Sequence, residues 1–456
     1  MEPASIRMEM TAISRFAFGV LLAIVLACGR DAYAQDRLSL LSAIDLALAT
    51  HPDVVGTRAA VREAEQRVTQ ARAGFFPKID FTQSWQRGNQ PVFVFGSLLA
   101  QRQFAEADFA IQQLNHPAPI TNARSAFSLE YALFDGGRTR AAARAATLET
   151  SVARAVERQT RNDLALATTR AYGRALGADA ERQAAVAAVA TAEEDARTAE
   201  ARRDAGTVTE ADVLAMQAHL AEMRARAIDA AAEERIARAD LNRLMNRPLE
   251  TAMVLEQAPI AAGAASGQAA SAQKPGEGRP ELEQAALRVD LANAARARVR
   301  GALLPEIAVQ GGYEWNDGQR GGPASAWLTG VAVRVNLFSG GATAARLREA
   351  AYAADRARAE QERAAAAVRL EVLTAIERLA AARARDAVGR AAVVQARESQ
   401  RIIRDRFEVG LTPASEAIRA ATAVLDAEAQ RVRAVVDVMV GEAELRRAVG
   451  DEEVRP

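Results

Sequence analysis

A tandem repeat constrains the fold of this chain more than any other feature of its sequence. The motif Leu-Phe-x-Gly-Gly begins at Leu133 and again at Leu337, so it recurs after 204 positions. Gly206 and Gly410, each in an Arg-x-x-x-Gly segment, keep the same separation. A gapless match over so long a stretch indicates that one structural unit was duplicated. The fold must therefore be one that can be built from two similar halves.

One insertion distinguishes the two copies. Pro77 aligns with Pro305 at a separation of 228 positions, whereas the motif that follows is separated by 204. The extra 24 residues therefore lie between Pro77 and Phe134, in the first copy. Because they fall between two segments with the pattern of strands, we expect a long loop over residues 88–122.

An N-terminal export signal and a linker complete the organisation of the chain. Arg15, an apolar run of about a dozen residues and Ala32-Tyr33-Ala34 occur in the order of a cleaved signal peptide. Residues 257–278 contain small residues, proline and glycine, with little apolar periodicity. We predict a signal peptide at 1–34, a first repeat at 35–256, a linker at 257–278, a second repeat at 279–450 and a tail at 451–456.

The only cysteine, Cys28, leaves one alternative open at the N-terminus. It ends the apolar run as Val-Leu-Ala-Cys, so it could instead become the lipidated first residue of the mature chain. Cleavage after Ala34 would leave a mature protein without cysteine, which is compatible with an oxidising compartment.

Each copy begins with a helical pattern and then changes to the period of a strand. We predict a first helix from Ser39 to Ala73, and its counterpart from Glu281 to Arg300, each ending at a glycine followed by a proline. Apolar and polar residues then alternate in four segments, which predicts four strands with one apolar face. These strands cover residues 77–85, 126–134, 307–315 and 327–337, and all three tryptophans fall on their apolar face.

The apolar strand face could be a soluble core or a surface that faces lipid. Aromatic residues on that face and an export signal together favour a barrel in an outer membrane. Four strands cannot close a barrel, and open strand edges are not tolerated in lipid. Two chains would supply eight strands filled by side chains, whereas three would supply twelve and leave an aqueous lumen. A trimer is therefore favoured if a solute must pass.

The longest part of each copy has the composition of a helical hairpin. No proline occurs between Pro119 and Pro248 or between Pro323 and Pro413, and these spans are rich in strong helix formers. A helix from Arg138 to Arg203 would be about 100 Å long. Gly206 and Gly410 would end these helices, while Thr209 with Asp212, and Thr412 with Pro413, would start the returning ones.

These features resemble those of the TolC-like outer-membrane efflux proteins. The resemblance rests on the two repeats, on Leu-Phe-x-Gly-Gly between strand and helix, and on the Arg-x-x-x-Gly turns. It implies a mixed α/β membrane protein, a homotrimer whose twelve-stranded transmembrane β-barrel, with four strands per chain, continues into a long α-helical periplasmic barrel. The strand-to-helix junctions would then be formed by Phe134, Gly136, Gly137, Phe338, Gly340 and Gly341.

The resemblance also implies a function, a location and partners. It implies the outer-membrane channel of a tripartite efflux or type I secretion system, a passive exit duct that extends into the periplasm. The channel would be opened by a periplasmic adaptor and an inner-membrane pump of RND or ABC type, and its barrel would contact outer-membrane lipid. The adaptor would bind the two helical turns, at Arg202, Gly206, Thr207, Val208, Arg406, Val409, Gly410, Leu411 and Thr412.

A constriction at the same tip is the second site that the resemblance implies, and it would involve Asp212, Glu416 and Arg419. The family has two acidic residues after the second turn, whereas this chain has Glu416 and Arg419 at those positions. A ring in which these two residues alternate could therefore lock the closed tip with salt bridges. Two solvated charges on a helix surface are the alternative.

Other classes of function find little support in the sequence. His51, His116 and His219 lack the spacing of metal ligands, and no phosphate-binding loop or nucleophile motif is present. We therefore expect no catalysis and no cofactor. The formal net charge is zero, so we expect no nucleic-acid partner. A non-channel periplasmic coiled-coil adaptor is the alternative, although it would need neither the repeat nor the aromatic strands.

Overall fold

The computed structural model describes residues 37–256, 278–318 and 322–450. The predicted signal peptide with Cys28, nearly all of the predicted linker and the tail at 451–456 lie outside these residues. The first repeat contains α1 Leu40–Thr50, α2 Pro52–Ala73, β1 Lys78–Gly88, α3 Pro91–Ala100, α4 Ile111–Asn115, β2 Ile120–Phe134, α5 Arg138–Asp204 and α6 Glu210–Leu244. The second contains α7 Pro280–Gly301, β3 Glu306–Asp317, β4 Ala324–Arg334, α8 Ala342–Glu408 and α9 Ala414–Val449.

The first helical segment forms two helices, so the prediction of one helix over 39–73 is wrong. His51 is extended, with φ −64° and ψ 132°, because the ring of Pro52 disfavours a helical conformation at the preceding residue. His51 then caps α2, since its Nδ1 accepts the amide of Asp53 at 3.2 Å. The break lets α1 bury Ile44 and Ala47 in a core shared with α5 and α6.

The four strands form one antiparallel sheet in the order β1-β2-β3-β4. The pairing of β2 with β3 joins the two repeats, and the register aligns one row of aromatic residues across all four strands, Phe81, Phe127, Tyr313 and Trp327. The bounds of all four strands differ from the prediction by between one and six residues. The second strand begins at Ile120, before the predicted start, and the fourth ends at Arg334, before Val335 and Leu337.

Two long helices carry the chain away from the sheet. Both α5 and α8 contain 67 residues, which corresponds to about 100 Å. The helix α5 packs against α2 and α7 and also against its hairpin partner α6, while α8 packs against α7 and α9. Fully buried alanines such as Ala155, Ala175 and Ala354 allow this close packing of long helices.

A buried arginine fixes the start of the second repeat to the end of the chain. Arg279 is 3% exposed, and its guanidinium donates to the carbonyls of Arg447 and Ala448 at the C-terminus of α9. The same guanidinium pairs with Glu281 and Glu371 at 2.9 and 2.8 Å. A buried charge needs such partners, so this network holds α7, α8 and α9 together.

The connection between β1 and β2, predicted as a long loop over 88–122, contains short helical segments. Pro91 starts α3 at a position where its missing N–H costs nothing. A short 3-10 turn, Glu106–Phe109, and α4 follow. The rings of Phe95, Phe104 and Phe109 stack edge to face at 4.7 and 5.0 Å. These edge-to-face contacts hold the helical segments of the connection together.

Candidate functional site

The strand-to-helix junctions have the same backbone shape in both repeats. All four glycines of the two motifs have positive φ, at +69° and +81° in the first and +59° and +84° in the second, for Gly136, Gly137, Gly340 and Gly341. Glycine adopts this left-handed conformation without the penalty that a Cβ imposes. The chain can therefore leave the sheet and enter the long helix within a few residues.

The two junctions differ in how they are capped and packed. In the first, the Asp135 carboxylate accepts the amides of Gly137 and Thr139 at 2.9 and 2.6 Å. In the second, the hydroxyl of Ser339 accepts the amide of Thr343 at 3.2 Å. A Cβ on Gly136 would lie 2.2 Å from the carbonyl oxygen of Gly301, whereas open space surrounds a Cβ on Gly340.

The sheet exposes an aromatic face and has a polar face opposite. The aromatic row at Phe81, Phe127, Tyr313 and Trp327 is exposed, and Trp315 contacts Phe127 and Tyr313 within the same layer. The opposite face has charged and amide side chains, including Arg124 and Glu314, which pair at 2.7 Å. An aromatic outer face and a polar inner face are the pattern of a membrane barrel strand.

A second band of exposed aromatic residues lies at the other end of the sheet. Phe75 and Phe76 precede β1, and the motif residues Phe134 and Phe338 lie at the junctions, with Phe338 87% exposed. The aromatic row is six residues along β3 from Ile307, or about 20 Å at the usual strand rise. Two separated aromatic bands are the pattern by which a membrane barrel places rings at both lipid–water interfaces.

The first helical turn lies at the far end of α5. Gly206 has φ +75°, and Thr207 returns its amide and its hydroxyl to the carbonyl of Arg202 at 2.9 and 3.0 Å. Thr209 caps α6 in the predicted capping box: its hydroxyl accepts the amide of Asp212, whose carboxylate accepts the amide of Thr209. The predicted turn and the predicted helix start are both confirmed here.

The second turn repeats the shape of the first with different chemistry. Gly410 has φ +74°, and the amide of Leu411 donates to the carbonyl of Arg406 at 2.9 Å. The helix α9 starts after Pro413, which offers no side-chain cap. Val409 and Leu411 are 69% and 75% exposed, so this turn presents an apolar surface to solvent.

Contacts between the two turns join the hairpins into one tip. The carboxylate of Asp212 accepts the amide of Ala414 at 3.3 Å, so the first repeat caps the last helix of the second. The guanidinium of Arg202 donates to the carbonyl of Phe407 at 3.4 Å and lies 5.5 Å from its ring centroid. Val213, Met216, Phe407 and Ala414 form the small core below. The tip is therefore a shared structure of both repeats.

The predicted constriction residues occupy two different settings within one chain. The hydrogen bond from the Thr209 side chain lowers the pKa of Asp212, and amide donors add to this effect. The carboxylate is therefore charged at neutral pH while it caps the two helices. Glu416 and Arg419 form an ion pair of 3.7 Å on α9, and both are exposed. They are available to other chains at the surface of the tip.

The tip also brings together an ion pair and a buried histidine that the sequence did not indicate. Asp195 on α5 pairs with Arg404 on α8 at 3.2 Å. His219 on α6 is buried, and its Nδ1 has no hydrogen-bond partner among the described residues. Burial lowers the pKa of His219, against the opposing effect of Glu222 and Asp195. No sequence signal could have grouped these residues, because they lie on three helices and in both repeats.

These features define a class of protein: a channel whose strands form part of an outer-membrane barrel and whose helices extend away from it. Within the described ranges, none of the helices has the sustained apolar stretch that crossing a membrane requires. The sheet, the junctions and the paired hairpins are the parts by which the class is recognised.

Comparisons with known proteins agree with this class. The model of the outer membrane efflux protein family matches residues 43–247 and 272–451. A membrane protein from Pseudomonas aeruginosa superposes with a TM-score of 0.76 at 20% identity, over 90% of this chain and 93% of that one. The CmeC outer membrane channel of Campylobacter jejuni superposes with a TM-score of 0.75 at 16% identity, over 90% of this chain and 85% of that one. The outer membrane protein VceC of Vibrio cholerae superposes with a TM-score of 0.73 at 18% identity, over 90% of this chain and 96% of that one.

A search of curated protein sequences found no match. The family model nevertheless covers most of the chain, so the chain belongs to the outer membrane efflux protein family. The predicted fold class is confirmed, since the four-stranded sheet and the long helices match the TolC-like trimeric channels. The protein is an outer-membrane efflux channel that extends into the periplasm, and the alternative of a non-channel adaptor is not favoured.

Proposed function

We propose that three copies of this chain form a passive exit duct across the outer membrane and the periplasm. The support comes from the sheet edges. Among the described residues, the outer edges of β1 and β4 pair with no other strand. Such edges would leave unpaired backbone groups in lipid, and three sheets joined edge to edge would satisfy them. Twelve strands would also leave more internal space than the eight that side chains alone can fill.

The duct opens at its periplasmic tip when an adaptor binds the two helical turns. The observation that carries this proposal is that both glycine turns lie side by side, joined through Asp212 and Arg202. The adaptor belongs to an assembly with an inner-membrane pump, of RND or ABC type, which supplies the energy. The duct itself supplies only the route.

The adaptor surface is formed by exposed residues of both turns. Leu411 and Val409 present an apolar patch beside the polar Thr207. The buried hydroxyl of Thr412 has no hydrogen-bond partner among the described residues, and a partner helix could supply one. Apolar side chains surrounded by polar groups are a common composition for a protein interface. The remaining docking residues are Arg202, Gly206, Val208, Arg406 and Gly410.

The constriction forms where Asp212, Glu416 and Arg419 of three chains meet. Glu416 and Arg419 lie on one helix face in each chain, so the assembled tip alternates acid and base around the axis. Each carboxylate then lies between two guanidinium groups, and their attraction holds the tip closed until the adaptor moves the hairpins apart.

Site-directed crosslinking tests adaptor docking. Single cysteines replace Thr207 and Leu411 at the turns and Tyr352, which is 71% exposed near the start of α8, as a control. Cells produce each variant with the adaptor encoded beside this chain, and a short thiol-to-amine crosslinker is added. We expect an adduct between channel and adaptor at both turns and none at Tyr352. Equal adducts at all three positions, or none at the turns while the channel still conducts, would overturn the docking site.

A further inference from the structure

The insertion of the first repeat covers one face of the sheet. Its helices α3 and α4 and the turn between them occupy Pro91–Asn115, a segment that we name the collar. The collar contacts all four strands. Phe93 lies against Gly88 of β1, Gln101 bonds to β2, and the guanidinium of Arg102 donates to the carbonyl of Ser325 in β4 at 2.9 Å.

A chain of three amides fixes the collar to the sheet. The Gln101 amide donates to the carbonyl of Thr121 and to the side chain of Asn122, both at 2.9 Å. The Asn122 amide then donates to the side chain of Asn316 on β3 at 3.0 Å. Gln101, Asn122 and Asn316 are 5%, 7% and 2% exposed. Polar groups buried in this way are stable only when bonded to one another.

The covered face is the polar one. Asn122 and Asn316 lie on the same side of the sheet as Arg124 and Glu314, because side chains alternate along a strand. The aromatic row lies on the other side and is exposed. In a barrel with its aromatic face toward lipid, the polar face lines the lumen. The collar therefore folds toward the inside of the barrel and not over its outer wall.

The second repeat has no equivalent of the collar. Its strands β3 and β4 are joined by residues 318–323, whereas β1 and β2 are joined by residues 89–119. The lack of a side chain at Gly318 leaves room for the Gln101 side chain of the collar, since a Cβ at this position would lie 2.1 Å from it. A trimer would thus place three collars, one per chain, inside the external end of a single barrel.

We propose that the three collars narrow the outer mouth of the duct and restrict its cargo to small solutes, excluding polypeptides. The inference rests on the proposed trimeric duct. Twelve strands leave only a moderate lumen, so three folded segments on its inner face occupy much of the cross-section. The collar side away from the sheet exposes Val92, Phe109 and Ile111, so the narrowed passage has an apolar lining. Such a passage suits small apolar or amphipathic molecules.

The test measures how large a reagent can enter from outside the cell. Ser128→Cys places a thiol on the lumen face below the collar, and Val92→Cys, at an 82% exposed site, reports the collar itself. Intact cells receive a small membrane-impermeant maleimide or maleimides carrying polymers of increasing size. The unsubstituted chain is the blank. The reagent enters from the external side, so the labelling rate does not depend on whether the periplasmic tip is open.

Two variants remove the collar to different degrees. In one, residues 318–323 of the second repeat replace residues 89–119, which gives both strand pairs the same short connection. In the other, Gln101→Ala removes the amide by which the collar bonds to β2 and leaves the chain otherwise complete. The second variant keeps the test valid if the first does not assemble.

The possible outcomes distinguish a failure of the collar proposal from a failure of the proposed trimeric duct. With the collar intact, we expect large polymers to label Ser128→Cys at least about tenfold more slowly than Val92→Cys, because the passage is narrow. Either collar variant should make large polymers label Ser128→Cys faster than they do in the intact channel; the replacement variant lacks Val92, so its Ser128→Cys rate is compared directly with that of the intact channel. The proposal that the collar narrows the duct would be overturned if large polymers labelled both sites equally in the intact channel. It would also be overturned if neither collar variant labelled Ser128→Cys faster. If even the small reagent never reaches Ser128→Cys in a protein that is not trimeric, the proposed duct fails instead.

Discussion

The two repeats follow the same path, yet they use different chemistry at equivalent positions. Asp212 and Glu416 both lie six residues after the glycine of their turn. Asp212 caps its own helix and also the first turn of α9, whereas Glu416 is exposed and, among the described residues, its carboxylate pairs with Arg419. Thr209 provides a side-chain cap where the second repeat has Pro413.

This difference shows that the second hairpin is completed by the first. A helix begins with amides that have no partner inside the helix, and α9 receives its missing acceptor from Asp212 of the other repeat. The sheet shows the same asymmetry, because only the first repeat carries the collar. The duplication has kept the backbone path, while the caps, the packing and the insertion have become specialised.

The largest contrast between the repeats is expected at the two junctions. Gly136→Ala would place a Cβ against the backbone of Gly301, so we expect a loss of about 3 kcal/mol or more and little assembled channel. Gly340→Ala has the same left-handed backbone but open space, so it should cost only about 1 to 2 kcal/mol. The temperature at which the detergent-extracted oligomer dissociates measures both. Equal shifts would mean that the contact with Gly301 does not distinguish the junctions.

Removal of the shared cap should affect both turns at once. Asp212→Ala deletes the acceptor for the amides of Thr209 and Ala414, which we expect to cost about 1 to 2 kcal/mol at the tip. Hydrogen exchange should become faster over both 202–213 and 406–418. The matched variant, Glu416→Ala, should change only the second segment. Faster exchange in the first segment alone would contradict the link between the repeats.

A smaller difference between the repeats should depend on pH. The first repeat has the titratable His219 where the second has Ala423. Burial lowers the pKa of His219, so the folded tip favours the neutral ring. The stability that the neutral ring contributes to the folded tip is fully present above the pKa of the unfolded histidine, about 6.5. It declines as the pH falls from there toward the pKa of His219 in the folded protein. Protection of α6 from exchange, corrected for the intrinsic rate, should therefore weaken between about pH 7.5 and pH 5.5.

His219→Leu is the control for that pH dependence, since leucine fills a similar space without titrating. The groups around His219 are Asp195 on α5, Arg404 on α8, and Glu222 and Arg226 on α6. Burial raises the pKa of Asp195, which acts in the opposite direction, so Asp195→Asn separates its contribution. The same loss of protection in His219→Leu as in the unchanged chain would exclude the histidine as its cause.

The smallest effect on stability is expected for Arg419→Ala. The side chain is 77% exposed and pairs within one helix at 3.7 Å, and such pairs contribute at most about 0.5 kcal/mol. The first repeat has Ala215 at the equivalent position. If Glu416 and Arg419 alternate around the closed tip, the substitution should nevertheless raise the single-channel conductance in planar bilayers. An unchanged conductance would count against the salt-bridged ring.

Local sequence signals predicted those parts of the fold that local physics decides. Alternating residues predicted the four strands, and Gly206 and Gly410 predicted the helical turns. The pair Thr209 and Asp212 predicted the start of α6. The candidate turn residues were found because each turn carries its own glycine.

Contacts between distant segments could not be predicted in this way. Asp212 and Ala414 are separated by 202 positions, and nothing in either segment points to the other. The collar was missed because its helices are short and its apolar residues follow no regular period. The break at His51 was missed because Pro52, which restricts the residue before it, was treated as part of a continuous helical pattern.

The most direct test of the account is the size and location of the assembled protein. The full chain would be produced in a Gram-negative host, the membranes separated by density, and the detergent extract examined unheated and by mass-calibrated chromatography. We predict a detergent-stable species in the outer-membrane fraction with three times the mass of the mature chain. A soluble periplasmic monomer, with four strands that never join those of another chain, would contradict it.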